Sequence, residues 1–358
     1  MITSARAIIL GLLLGHGATL AADEPAREYT WLTMGKPSGT LVLQQQADGT
    51  THMSFQFTDR GRGPRTQSSL RLNEHGVPVE LEITGNNYSG GAVHERFSAR
   101  DGSASWQSSI EEGEAAFDGL EFFLPRDAAP AFMAILARAI MQSASGAVQL
   151  LPAGRASISR LASRSLPSGD GSIDIDLYGI DGLGSTPSYV WLDRDRQFFG
   201  MDQGLFGITP KGMESHIDTL RQAQQQAGDD YYRTLAATLT TPLDGLLAIR
   251  GARIFDSVAG RLTQPATIFC WRGKISAIYF AEVAVPAGAR VIDAGGKTIV
   301  PSLWDMHAHV SIENFPNYLA FGISNVRDMG NDTEVIYRLQ EDTPSGRVLG
   351  PDIHALGV

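Results

Sequence analysis

The sequence predicts an α+β protein. A curved antiparallel β-sheet domain with helical insertions comes first, and a smaller glycine-punctuated sheet module follows and ends in a metal-site motif. Three observations carry this reading. Apolar and polar residues alternate across tight-turn signals from Tyr29 to Phe123, two stretches switch to helical spacing, and composition changes after Thr241-Pro242.

The first 22 residues differ in kind from the rest. Arg6 precedes the apolar run Ala7 to Leu14, small residues continue through Ala22, and Asp23-Glu24 closes the stretch. A positive start, a short apolar core and a small-residue zone have the order of a secretory signal, too short to span a bilayer comfortably. Residues 1–22 are therefore expected to be a signal peptide, and the protein to be periplasmic or secreted. The single cysteine, Cys270, permits no internal disulfide.

Residues 23–240 are expected to form the β-rich domain. Leu41 and Leu43 face Met53, Phe55 and Phe57 across Asp48-Gly49, where glycine accepts the positive φ of a tight turn. Leu70 and Leu72 pair with Val77 to Ile83 across His75-Gly76, and Val93 to Ala99 pairs with Ser103 to Ser109 across Asp101-Gly102. One apolar face on successive antiparallel strands accounts for this pattern. From Pro130, Phe132, Met133, Ile135, Leu136, Ala139 and Ile140 make a broad helical face that Gly146 ends. Further strands are expected at Ile158–Leu161, Ile173–Leu177, Ser188–Leu192 and Gln197–Met201, and Pro210 and Met213 lead into a second helix to Leu239, either continuous or with a break at Gly228. Asp174 and Asp176 alternate with apolar neighbours, as a solvated sheet face does. His52, His75, His94 and His216 are scattered, without partners at ligand spacing.

The net charge of −10 argues against a nucleic-acid partner, which needs a basic face to release counterions. The same balance argues against a membrane partner once the signal is cleaved.

Residues 241–300 read as a small β module, with strands at Leu246–Asp256, Ala266–Trp271, Lys274–Ile278 and Ala289–Asp293. It leads into Val300-Pro301-Ser302-Leu303-Trp304-Asp305-Met306-His307-Ala308-His309. An apolar run closing on His-x-His reads as a buried strand that delivers two imidazoles to one face, because side chains two apart project the same way. Asp305 shares that face.

These residues resemble the amidohydrolase superfamily of metal-dependent hydrolases, in its imidazolonepropionase-like or Xaa-Pro-dipeptidase-like branch. The resemblance rests on Gly251-Ala252-Arg253-Ile254-Phe255-Asp256, Gly273 to Ile278, Asp293 to His309, and Leu319 to Gly330. It implies that residues 241–300 are the family's small β-sandwich module and that residues 301–358 begin a (β/α)8 barrel. His307 and His309 would bind a metal, zinc or another divalent ion, if the site is completed. Asp305 would orient the strand, and Asp328 would support the mouth of the site or pair with Arg327. A small-molecule amide or dipeptide substrate is implied as well. Ser302 stands where the family commonly has glycine.

The resemblance covers only Leu246 onward. A complete barrel takes about 250 residues, far more than remain after Asp293, so the chain is expected to be truncated and inactive alone, with no assignable catalytic residue. His354 lies near the end without ligand spacing to the pair. A non-catalytic periplasmic binding or interaction role for the N-terminal sheet domain is the alternative function.

Overall fold

A computed structural model describes residues 24–355; the expected signal peptide lies outside the described residues. Contacts divide the chain into two compact units, Met1–Gln224 and Gln225–Val358. β-Structure dominates both.

The first unit is built on one 15-stranded sheet. Its first eight strands follow each other as antiparallel neighbours: β1 (Arg27–Thr33), β2 (Lys36–Gln45), β3 (Thr51–Phe57), β4 (Arg65–Leu72), β5 (Pro78–Asn86), β6 (Ala92–Arg100), β7 (Ser103–Gln107) and β8 (Glu112–Ala116). The short β9 (Phe122–Phe123) precedes helix α1 (Phe132–Gln142). Then come β10 (Ala147–Leu151), β11 (Arg155–Ser168), β12 (Gly171–Asp181), β13 (Ser188–Asp193), β14 (Phe198–Asp202) and β15 (Phe206–Pro210). Pairing of β15 with β1, Tyr29 opposite Pro210 and Thr33 opposite Phe206, joins the two runs into one sheet. The edges are β8 and β9.

Alternation sets the register as the sequence implies: Leu41 lies opposite Phe55 and Leu43 opposite Met53, all four buried. The two ends of the sheet meet through side chains, because Phe97 of β6 stacks on Phe123 of β9 at 4.5 Å. Helix α1 sits in the shared core, with Phe132, Ala134, Ile135, Leu136, Ala137, Ala139 and Ile140 all buried. A helix buried on this many positions needs protein around most of its circumference, and the curled sheet provides it. Glu95 holds the chain entering α1: its buried carboxylate accepts the backbone N–H groups of Arg126 and Asp127 at 3.0–3.1 Å.

Helix α2 (Ile217–Leu239) passes from the first unit into the second. It runs through Gly228 without a break. Asp202, buried on β14, pairs with Arg221 in its early turns, and Tyr232 belongs to the core of the second unit. No helix among the described residues is long and apolar enough to cross a membrane.

In the second unit, β16 (Leu246–Asp256), β17 (Arg261–Leu262), β18 (Ala266–Trp271) and β19 (Lys274–Tyr279) form a small antiparallel sheet, with β20 (Arg290–Asp293) and β21 (Thr298–Ile299) added parallel to β16. A separate three-stranded parallel sheet follows, in the order β22 (Leu303–Ala308), β23 (Ile323–Asp328), β24 (Asp352–Ala355). Helix α3 (Phe315–Ala320) connects the first pair and α4 (Thr333–Asp342) the second. Asp332 caps α4 by accepting the N–H groups of Glu334 and Val335. Ala308, Phe315, Val326, Ile336, Leu339 and Ile353 make one core between this sheet and its helices.

The expectation of a buried β22 is corrected. Leu303 and Met306 are 56% and 52% exposed, since α3 and α4 cover one face and nothing among the described residues of this unit covers the other. The strand is also irregular: Asp305 pairs with Val326 and Ala308 with Asp328, so two residues bulge opposite Arg327. Simple alternation through His307 is thereby broken.

Candidate functional site

The two histidines lie at the carboxyl end of β22, His307 inside the bulge and His309 one residue past the strand. Their rings are 5.7 Å apart, centroid to centroid, at 69°. Both are exposed. The bulge replaces strict alternation as the device that brings the rings together.

The loop that carries His309 is fixed by β23. Met329 N–H bonds the Ala308 carbonyl at 2.8 Å. Asp328, only 3% exposed, accepts Val310 N–H at 2.8 Å, Gly330 N–H at 3.0 Å and the Asn331 side-chain amide at 3.2 Å. That amide also reaches the Val310 carbonyl at 2.6 Å. Asp328 therefore holds the loop after β22 through two backbone N–H groups and the Asn331 amide, and among the described residues it forms no ion pair with Arg327.

His309 Nδ1 lies 2.8 Å from the Gly330 carbonyl. A carbonyl only accepts, so Nδ1 carries the proton, and in the neutral ring the lone pair is on Nε2. A backbone carbonyl on one ring nitrogen is the usual way a metal-binding histidine has its tautomer and orientation set. Asp305 works on the other histidine: its Oδ1 accepts His307 N–H at 3.0 Å. Burial first, then the Asp305 and Asp328 charges, pushes the pKa of the nearby Tyr318 hydroxyl on α3 up.

His354 is placed elsewhere. Its ring stacks on Trp304 at 4.7 Å and lies 3.4 Å from Asn325 Oδ1. Among the described residues, no three His, Cys, Asp or Glu side chains come together as a metal-binding group. Catalytic zinc takes three protein ligands and an open position, one more ligand than the two neighbouring histidines would supply. Gly330 and Asn331 have supporting roles that spacing along the chain did not indicate.

Comparison with known proteins gives short matches. The chain is 42% identical over 69 residues to a dihydroorotase of Pelotomaculum thermopropionicum, covering 19% of this chain and 16% of that one. It is 37% identical over 65 residues to an allantoinase of Streptomyces avermitilis, covering 18% and 14%. A solved amidohydrolase matches at 25% identity, 31% of each chain and a TM-score of 0.28. A β-barrel-like protein of a domain of unknown function from Brucella abortus matches at 13% identity over 54% of this chain and 95% of that one, with a TM-score of 0.34. No family model matches.

The two sequence matches relate the chain, over a minority of its length, to the amidohydrolase superfamily. The chain spans about one-sixth of the length of the curated relatives it matches.

Proposed function

We propose that the second unit carries the first strands of an exported, metal-dependent hydrolase of carbon–nitrogen bonds, and that His307 and His309 are half of its metal centre. The observation that carries this is the hydrogen bond from His309 Nδ1 to the Gly330 carbonyl, which leaves the Nε2 lone pair of the neutral ring unprotonated, in an exposed residue whose ring lies 5.7 Å from that of His307. In this reading β22, β23 and β24 begin a (β/α)8 barrel, and β16 to β21 are the small sheet module that accompanies it. Zinc or another divalent ion at such a centre would polarise a scissile carbonyl and acidify a water. This chain's own residues hold and orient: His307 and His309 as ligands, Asp305 on the bulge, Asp328 on the loop.

A small amide or dipeptide is the proposed substrate class. With no group of three metal donors among the described residues, the site as it stands is proposed to be inactive. The self-contained core of the first unit supports a second reading, in which that unit acts as a binding module by itself.

The test is cobalt(II) titration of the full chain, read by its visible absorption. One weak site is expected, with affinity reduced at least tenfold by His307→Ala or His309→Ala. Equal uptake by the double variant would sink the proposal. Dipeptide and cyclic-amide hydrolysis should appear only in a version carrying a whole barrel, and should vanish there with the same substitutions.

A further inference from the structure

One end of the first unit gathers hairpin tips that are far apart in the sequence. The β1–β2 turn is Met34-Gly35, a two-residue connection with Thr33 opposite Lys36 and φ of +50° and +74°. Such turns favour Asn-Gly, because both positions need positive φ. Here a methionine occupies the first position, 69% exposed. The β14–β15 tip is adjacent, with Met34 N–H donating to the Leu205 carbonyl at 2.7 Å, and Leu205 is 62% exposed. Two large apolar side chains thus stand side by side in solvent.

The next tip repeats the pattern with charge. Asp59 bridges Arg62 across Arg60-Gly61, again at positive φ, and Thr58 N–H bonds the Ser38 carbonyl at the start of β2. Lys36, Arg60 and Arg62 are exposed there, as is Arg65 at the start of β4. Among the described residues none of these four cations has an ion-pair partner; Arg62 lies over the Tyr88 ring at 5.7 Å. Several acids of this end are otherwise placed. Asp59 accepts the Tyr88 hydroxyl at 2.8 Å, Asp202 is held by Arg221, Asp181 is half-buried, and Glu111 and Glu112 belong to the β7–β8 tip beyond the β5–β6 turn. Beneath the apolar tips, Trp31, Phe57 and Phe206 pack as one aromatic cluster, with centroids 4.6–5.6 Å apart.

We propose that this end of the first unit docks on an anionic bilayer surface. Met34 and Leu205 enter the boundary between headgroups and acyl chains, and Lys36, Arg60, Arg62 and Arg65 face the lipid phosphates. Exposed apolar side chains ringed by unpaired cations are what interfacial binding requires, and each cation near an anionic surface adds about fivefold in affinity. A nucleic acid would use the cations and leave the two apolar tips unsatisfied. The net charge of −10 hides the patch, because its members come from three separate turns.

The test is a fluorescent label on Leu205→Cys in a Cys270→Ser background of the full chain, mixed with phosphatidylglycerol–phosphatidylcholine vesicles. A blue shift is expected with these vesicles and not with phosphatidylcholine alone. Its affinity should fall at least tenfold in Arg60→Glu/Arg62→Glu, fall with Met34→Asn, and weaken steeply with salt. Asparagine at position 34 suits the positive φ, and circular dichroism checks each variant. If the charge-reversed variant fails to fold, the salt titration of the unreversed protein decides. A label that stays solvent-like, or a shift indifferent to charge reversal and salt, overturns the proposal. A shift produced by DNA or glycerol phosphate without vesicles overturns it too.

Discussion

The two units use apolar residues in opposite ways. In the first, strands alternate, the sheet curls, and α1 fills the space inside, so the apolar residues of β2 to β6 and of α1 share one core. In the second, the stretches around β19 to β22 carry apolar residues at successive positions, and Ile275, Ile278, Val291, Ile292, Val300, Leu303, Trp304 and Met306 are exposed. Continuous apolar runs belong to strands covered on both faces, as parallel sheets are. One face of β22 to β24 has its helices; the other has no cover among the described residues of that unit. The first unit is built to be complete in itself, and the second is built to be covered.

Paired truncations put this contrast to the strongest test. Leu136 on α1 is fully buried, and Leu136→Ala should cost about 2–5 kcal/mol for the lost burial and the cavity left behind. Leu303→Ala removes the same atoms from an exposed position and should stay within about 0.5 kcal/mol. Urea unfolding of both variants reads the difference. A Leu303 cost equal to that of Leu136 would break the comparison, by showing that this face is covered in solution.

Each unit also pins a loop with one buried carboxylate, Glu95 in the first and Asp328 in the second, both 3% exposed. Asp328→Ala leaves Val310 N–H and Gly330 N–H without their acceptor, while the Asn331 amide keeps the Val310 carbonyl. An unsatisfied buried donor costs about 1–3 kcal/mol, and water reaching the loop will offset part of the sum, so about 2–3 kcal/mol is expected. Cobalt affinity should fall with it, since the loop carries His309. Unchanged stability would mean that the loop is held by Met329 and Asn331 alone.

How much could be read beforehand follows from which contacts are local. Hairpins such as β2–β3 declare themselves because alternation and a glycine turn lie within a few residues. The β1–β15 pairing does not, since Tyr29 and Pro210 have nothing in their neighbourhoods that names the other. The closeness of His307 and His309 was legible in the His-x-His spacing, and the C-terminal relationship was legible from Gly251 to Gly330. The bulge at Met306-His307 was not, because it depends on the register against β23. Nor was the part of Gly330, whose contribution is a backbone carbonyl that any residue type possesses. The cation patch escaped for a similar reason: Lys36 and Arg60 become neighbours only when two turns meet.

The smallest effect is a pH dependence that separates the two carboxylates' roles. Burial is the main influence on Glu95 and raises its pKa above the ordinary 4.5, while the N–H groups of Arg126 and Asp127 and the Arg126 charge pull it down and the Asp127 charge pushes it up. A raised carboxyl pKa means that the folded chain holds this proton more tightly than the unfolded chain does. Its contribution is then fully present below about 4.5 and is lost as pH rises through the folded value. Glu95→Gln cannot titrate, so the stability of the natural chain relative to this variant should be greatest in acid and should shrink toward neutral pH. Urea midpoints measured for both across that range decide the matter. If the advantage of the natural chain grows toward neutral pH instead, the N–H bonds to the ionised carboxylate outweigh its burial, and Glu95 is a charged clasp on the entry to α1 rather than one that holds best when protonated.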